Sequence, residues 1–345
     1  MIAPMEDAGR PSLRCQTPSG PSAVGRHGYA LRLDPWAPEY EGSIQLAEDE
    51  EGADVDVAVE SSSWAAITPP PAPRPRQVAF VDGVRRVEHR LLVSDGERTV
   101  FGLLGSYGVG AAVVEAAAKV AHESIGRAVV VAGGLVIEPF SATLRAFGGA
   151  IVFEPRTEAQ NTPVAPVAGL QTAMREAEGE LAGRLAAEVE VVFQDGPLSF
   201  LTSGVSGRVV GFVKRLQRQY LDPAHHGLLP GLGVGERTPL FLVGGREPRY
   251  SWYLRIAFGR AIEAALTGVV RAECPAGYGV AEARRLANLS ARELPRFASD
   301  AARDPRAPQN LYPVGGLETR LKHLLGDPAV IRRAIEAQIH SEVTT

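Results

Sequence analysis

From Gln77 to Val93 the chain reads QVAFVDGVRRVEHRLLV, and this stretch constrains the fold more than any other. Its run VAFV is what a β-strand buried on both faces requires, and it breaks off at Asp82. A buried strand that stops at an acidic residue is a common way to present a metal-binding carboxylate. A second stretch of the same form, EVEVVFQDGPL, ends its apolar run at Asp195. If these two strands are neighbours, their ends aim two carboxylates at one site.

What precedes this stretch reads as accessory. Residues 1–28 are rich in Pro, Gly and Ser with little apolar periodicity, which predicts a flexible arm. An extension over 29–76 follows, with the alternating YALRL at 29–33 and a Pro- and Trp-bearing segment at 34–38 laid across the main body. It also holds an acidic block at 48–51 joined by Asp54 and Asp56, and PPPAPRP at 69–75, an extended polyproline connector. The acidic block reads as a solvated loop, with an autoinhibitory nucleic-acid mimic as the alternative. The main domain is placed at 77–325 and a C-terminal helix at 326–345.

Within the main domain the pattern is first β. Residues 87–93 continue the opening strand, Asp95-Gly96 offers a turn, and TVFGLLGSY at 99–107 completes an antiparallel hairpin. Residues 111–121 stay open between helix, favoured by alanine, and strand, favoured by the flanking glycines and valine pairs. Short apolar runs at 128–131 and 150–153 predict strands. Residues 166–188 form the clearest helix, with Leu170, Met174, Ala177, Leu181 and Leu185 in a stripe about 80° wide. Glu178 lies beside that stripe, whereas Glu176 and Glu180 lie away from it, so Glu178 is the helical carboxylate expected to look toward the sheet. Strands are expected at 189–193, 208–213, 239–243, 252–256 and 268–273, and helices at 279–294, 316–325 and 328–339. Antiparallel strands, a helix, then a strand that can pair beside the first describe an α/β fold with a ribonuclease-H-like mixed sheet, a β-β-β-α-β start, flanking helices and additional strands. That topology brings Asp82 and Asp195 together, with Glu178 reaching in from the helix.

Composition bounds the function. The chain has 345 residues, 45% of them hydrophobic, enough for a large soluble core. Its net charge of −4 gives no whole-molecule support for nucleic-acid binding, so such a surface must be a local basic patch. Cys15 and Cys274 are the only cysteines, which fits a reducing compartment, and the cytoplasm is expected. No run reaches the roughly 18 apolar residues of a membrane span, and no membrane association is expected.

Clustered carboxylates repel one another at neutral pH, and a divalent cation makes them tolerable; an all-oxygen shell suits Mg²⁺ or Mn²⁺. Two such ions on Asp82, Asp195 and Glu178 would perform two-metal phosphodiester hydrolysis. Arg85, Arg86, Lys214, Arg215 and Arg218 are the candidate backbone-binding cations, and Tyr220 or Tyr312 the candidate base-stacking ring. His225 and His226, adjacent in a Gly/Pro-rich loop, are assigned no ligand role. Glu318, in GGLE at an expected helix start, reads as a first-turn acid that complements the helix dipole.

These residues resemble the NurA nucleases. The resemblance rests on FVDGVRR at Asp82, MREAEGELA at Glu178, VVFQDGPL at Asp195, VVGFVKRL at Lys214, GERTPLF at Glu236, WYLRI at Tyr253 and PQNLYPVGGLE at Tyr312, in order over about residues 78–325. It implies a ribonuclease-H-like, Mn²⁺-dependent nuclease, an exonuclease on DNA ends and an endonuclease on single strands, in double-strand-break end resection. It further implies a homodimer seated on a hexameric HerA-type ATPase, with Asp82, Glu178 and Asp195 as metal ligands and Tyr312 as the tyrosine of the C-terminal motif. Where the family carries a histidine shortly after that tyrosine, this chain has Arg320, with His323 one turn later. A catalytically weakened DNA-holding or assembly subunit, and an RNA-directed nuclease, are the alternatives.

Overall fold

The computed structural model describes residues 28–33, 54–144, 148–198, 200, 208–214, 216, 218–260, 262–302 and 304–344. The expected N-terminal arm up to residue 27, the segment at 34–38, the acidic block at 48–51 and Arg215 lie outside the described residues.

The strands are β1 (Ala30–Leu33), β2 (Val55–Asp56), β3 (Val78–Ser94), β4 (Thr99–Val114), β5 (Ala118–Val131), β6 (Phe140–Leu144), β7 (Gly149–Thr157), β8 (Val191–Asp195), β9 (Val209–Val213), β10 (Phe241–Val243), β11 (Arg249–Arg255) and β12 (Val269–Pro275). The helices are α1 (Ala165–Leu185), the short α2 (Pro223–His226), α3 (Gly279–Glu293), α4 (Tyr312–Leu324) and α5 (Pro328–Thr344). The strands lie in the order β2-β10-β11-β12-β9-β8-β3-β4-β5-β7-β6, with β1 added beside β3. Pairings are antiparallel except β3 with β8, β8 with β9 and β5 with β7. The fold is thus mixed α/β with one large, mostly antiparallel sheet and few helices.

The hairpin expected at Asp95-Gly96 is present, as β3 and β4 pair from Val78↔Val114 to Ser94↔Thr99. Residues 111–121, open on pattern alone, finish β4, turn, and start β5. The strand carrying Asp82 does not end there: β3 runs on for another twelve residues, to Ser94. What ends is its partner. β8 pairs with β3 only from Val78↔Val191 to Val81↔Gln194, and β1 takes up the same edge only from Leu91 onward. Asp82 and Asp195 are the next residues on two parallel neighbours, at the point where the sheet opens.

Helices cover both faces. Leu181, Ala182 and Leu185 of α1 pack with Ala79, Val81, Ala111 and Val192. Leu286 of α3 and Leu317 and Leu321 of α4 pack on the other face with Phe80, Phe193, Phe212 and Trp252. There Phe80 stacks on Phe193 at 5.4 Å between centroids. Ile331, Ile335 and Ile339 of α5 close a further cluster with Phe140 and Phe153. Burial on both faces explains why β3 and β8 read as continuous apolar runs. Among the described residues no helix is long and apolar enough to cross a membrane.

A candidate metal centre of three carboxylates

Side chains alternate across a strand, so Asp82 shares a face with Phe80 and Val84, the face covered by α4. Its cross-strand partner is Gly110, where a Cβ would stand 3.1 Å from Leu317 and 3.3 Å from Leu321. A bare backbone at that position lets α4 lie close enough for the residue that follows Leu317 to reach Asp82. That residue is Glu318. One oxygen each from Asp82, Asp195 and Glu318 lie within 4.8 Å of one another.

The three carboxylates are compensated unequally. Lys214, immediately after β9, donates to Asp195 Oδ2 at 2.5 Å and to Asn310 Oδ1 at 2.6 Å. Arg306 donates to Glu318 Oε1 at 2.7 Å, and Lys322 reaches Glu318 Oε2 at 3.3 Å. Asp82 is 6% exposed and accepts no hydrogen bond from any described residue. Burial, with Asp195 adding repulsion, pushes its carboxyl well above the usual range although Lys214 opposes the shift. Burial works against Glu318 ionisation too, but Arg306 outweighs it and holds that carboxyl below its ordinary value. For Lys214, Asp195 and Asp82 likewise outweigh burial and keep the ammonium charged above the normal lysine range.

Glu178 is placed differently from the expectation. It is fully buried beside the sheet, as the helical wheel implied, but α1 covers the opposite face. A Cβ at Gly83, on the face of β3 opposite the Asp82 side chain, would stand 2.5 Å from Glu178 Oε1 and 2.8 Å from Met174 Cγ. Glu178 Oε2 accepts from Arg175 at 2.9 Å, and the same guanidinium donates to the Asp195 carbonyl at 2.5 Å; Glu178 Oε1 has no hydrogen-bond partner. Burial raises its pKa to about 6, with Arg175 pulling the other way. The structure therefore brings together Asp82, Asp195 and Glu318, while Glu178 supports Asp195 from behind through Arg175. Gly83→Ala is expected to push Glu178 and Met174 off the sheet and lower stability by about 1–3 kcal/mol in denaturant melts.

The expected DNA-facing residues also separate. Arg85 lies on the α1 face, donating to Gln171 at 2.5 Å, and its pKa is lowered by burial and by Arg175. Arg86 is engaged by the buried Glu88, set at a bulge in β3, and by the Gly326 carbonyl beyond α4 at 2.9 Å. Tyr220 is buried under Arg218 and Arg271 and is no platform for a base. Tyr312 is 44% exposed at the head of α4. Arg320 contacts Glu123 at 3.2 Å, and His323 is exposed. His225 bonds the Asp222 carboxylate that caps its own short helix.

Asp82, with no hydrogen bond from any described residue and inside an all-oxygen donor set, fits a hard divalent cation. No protein-family model and no curated protein matches the chain. Comparison with solved structures shows a resemblance to the crystal structure of the NurA nuclease from Sulfolobus solfataricus, at 12% sequence identity and a TM-score of 0.46, over 81% of this chain and 87% of that one.

Proposed function

We propose that this chain is a divalent-metal-dependent nuclease acting on DNA. The observation that carries the reading is the convergence of Asp82, Asp195 and Glu318 at the opening of the sheet. Those three side chains would hold the ion, for which Mn²⁺ or Mg²⁺ is the match to carboxylate donors. When bound, such an ion supplies Lewis-acid polarisation of a phosphodiester and a hydroxide-like water at neutral pH. Lys214 and Arg306, already beside the carboxylates, offer positive charge to a phosphate, and the exposed Tyr312 ring can stack on a base. Arg175 fixes the Asp195 carbonyl and so the end of β8.

A ribonuclease-H-like sheet is supported by the central order β9-β8-β3-β4-β5, in which β3 and β8, first and fourth of these in chain order, are parallel neighbours. The sequence motifs add the NurA-type setting: a homodimer on a HerA-type hexameric ATPase, in DNA end resection. A weakened, DNA-holding subunit is the second reading, favoured by Arg320 being tied to Glu123 where the motif expects histidine.

Linear single-stranded DNA, double-stranded DNA and RNA, each incubated with Mn²⁺ and with EDTA, decide between them. Metal-dependent DNA cleavage that disappears in Asp82→Ala is the expected result. Binding of DNA without cleavage by any metal would favour the second reading, and cleavage that survives Asp82→Ala would place the site elsewhere.

A further inference from the structure

We infer that Lys214 occupies the second cation position of the carboxylate centre, so that the protein takes one divalent ion per chain where the motif pattern predicts two. The inference rests on the metal-dependent reading above and deepens it.

Two-ion centres need a carboxylate whose two oxygens are shared between ions about 3.5–4 Å apart. Asp195, at the end of β8 beside Asp82, is one of the two carboxylates that would be shared. One of its oxygens, Oδ2, is already held by the Lys214 ammonium at 2.5 Å. That ammonium is a seated group and not a passing surface lysine. Its side chain is 17% exposed, and it follows directly from β9, which pairs with both β8 and β12. Behind it stands Asn310, fully buried, whose Oδ1 accepts from Nζ at 2.6 Å. The orientation of that amide is fixed, because Asp304 Oδ2 lies 2.5 Å from Nδ2 and a carboxylate accepts only from the NH₂ end. The carbonyl end must then face Lys214, which has no acceptor of its own and can only donate.

Arg306 extends the same chain of contacts, bonding Asp304 at 3.3 Å and Glu318 at 2.7 Å. Asp195, Lys214, Asn310, Asp304, Arg306 and Glu318 thus form one connected arc around the open side of Asp82. The remaining unpartnered donor is Asp82, more than nine-tenths buried and within 4.8 Å of the other two carboxylates. A second divalent ion would have to displace Lys214 into a buried space where Asn310 alone would receive it, or share Oδ2 with it, which like charge forbids.

Mn²⁺ titration of the dialysed full chain, read by the EPR signal of free Mn²⁺ and by calorimetry, gives the count directly. The expected stoichiometry is one ion for the wild type, one for Lys214→Arg, two for Lys214→Met and none for Asp82→Asn. Asn310→Ala keeps the ammonium and removes its rear anchor; it is expected to reveal a second, weaker site and serves if Lys214→Met does not fold. Two ions in the wild type, or a single ion in folded Lys214→Met, would overturn the inference while leaving the metal-dependent reading intact. Absence of binding in every form would overturn both.

Discussion

Asp82→Asn is expected to lower metal-dependent cleavage on the order of 10³-fold or more, about 4 kcal/mol of barrier, and to make the metal-free protein more stable. The first effect follows from removing the carboxylate of the three that accepts no hydrogen bond from any described residue and therefore depends most on an ion. The second follows from the same isolation. Burial and the neighbouring acids raise the folded-state pKa of Asp82 above its unfolded value, so the folded chain binds a proton more tightly than the unfolded one. That preference favours folding at low pH and is lost as pH rises from the unfolded value through the raised folded one. Above the unfolded value the folded wild type bears the cost either of the buried charge or of taking up a proton, and Asn bears neither. The gain should be ~1–2 kcal/mol, a few degrees in Tm, and should shrink as the pH falls toward the ordinary aspartate range. Adding Mn²⁺ should reverse the order, raising the Tm of the wild type and not that of the variant. Thermal melts across pH, with and without the metal, check each part.

Glu318→Gln and Glu178→Gln should behave very differently, although motif reading assigned the metal to Glu178. Glu318 contributes an oxygen to the centre, so its amide variant is expected to lose at least about 100-fold in Mn²⁺ affinity, with cleavage lost in parallel. Stability should change by no more than about 1 kcal/mol, because its partners Arg306 and Lys322 are half-exposed or more and can turn to water. Glu178 bonds Arg175, which in turn bonds the carbonyl of Asp195, and Glu178→Gln is expected to cost about tenfold in affinity, as a partner behind a ligand does. Calorimetric Mn²⁺ titration of the two variants side by side separates these roles. Equal losses in both would place Glu178 at the ion.

The residues explain why one acid was legible and the other not. Asp82 and Asp195 announce themselves by ending apolar runs, and the helix between them makes a parallel pairing the natural one. Their two Asp-Gly steps are nevertheless different. Gly196 has φ +93° and ends a strand, as a turn glycine does. Gly83 stays in the extended strand and is needed for space, since Glu178 and Met174 press on it. Identical dipeptides therefore mark a strand end in one case and a packing contact in the other. Glu178 was correctly read as facing the sheet; a helical wheel cannot say which face of the sheet it meets, and that depends on the crossover from β7 to β8.

Glu318 was passed over because Gly315 and Gly316 look like helix breakers, which moves the apparent start of α4 to Gly316 and makes Glu318 a first-turn acid. The helix begins at Tyr312, with Pro313 in its first turn, and Glu318 lies well inside it between two core leucines. The proline was the available signal. The contact of Lys214 with Asn310 joins positions 96 residues apart and leaves no local pattern to read.

A Mn²⁺-soaked crystal, measured at the manganese edge, tests the central claim most directly. The account predicts one anomalous peak bonded to carboxylate oxygens of Asp82, Asp195 and Glu318, with Lys214 still donating to Asp195. A peak at the paired histidines His225 and His226, at Glu178 on the α1 face, or no peak while Asp82 stays unpartnered, would contradict it.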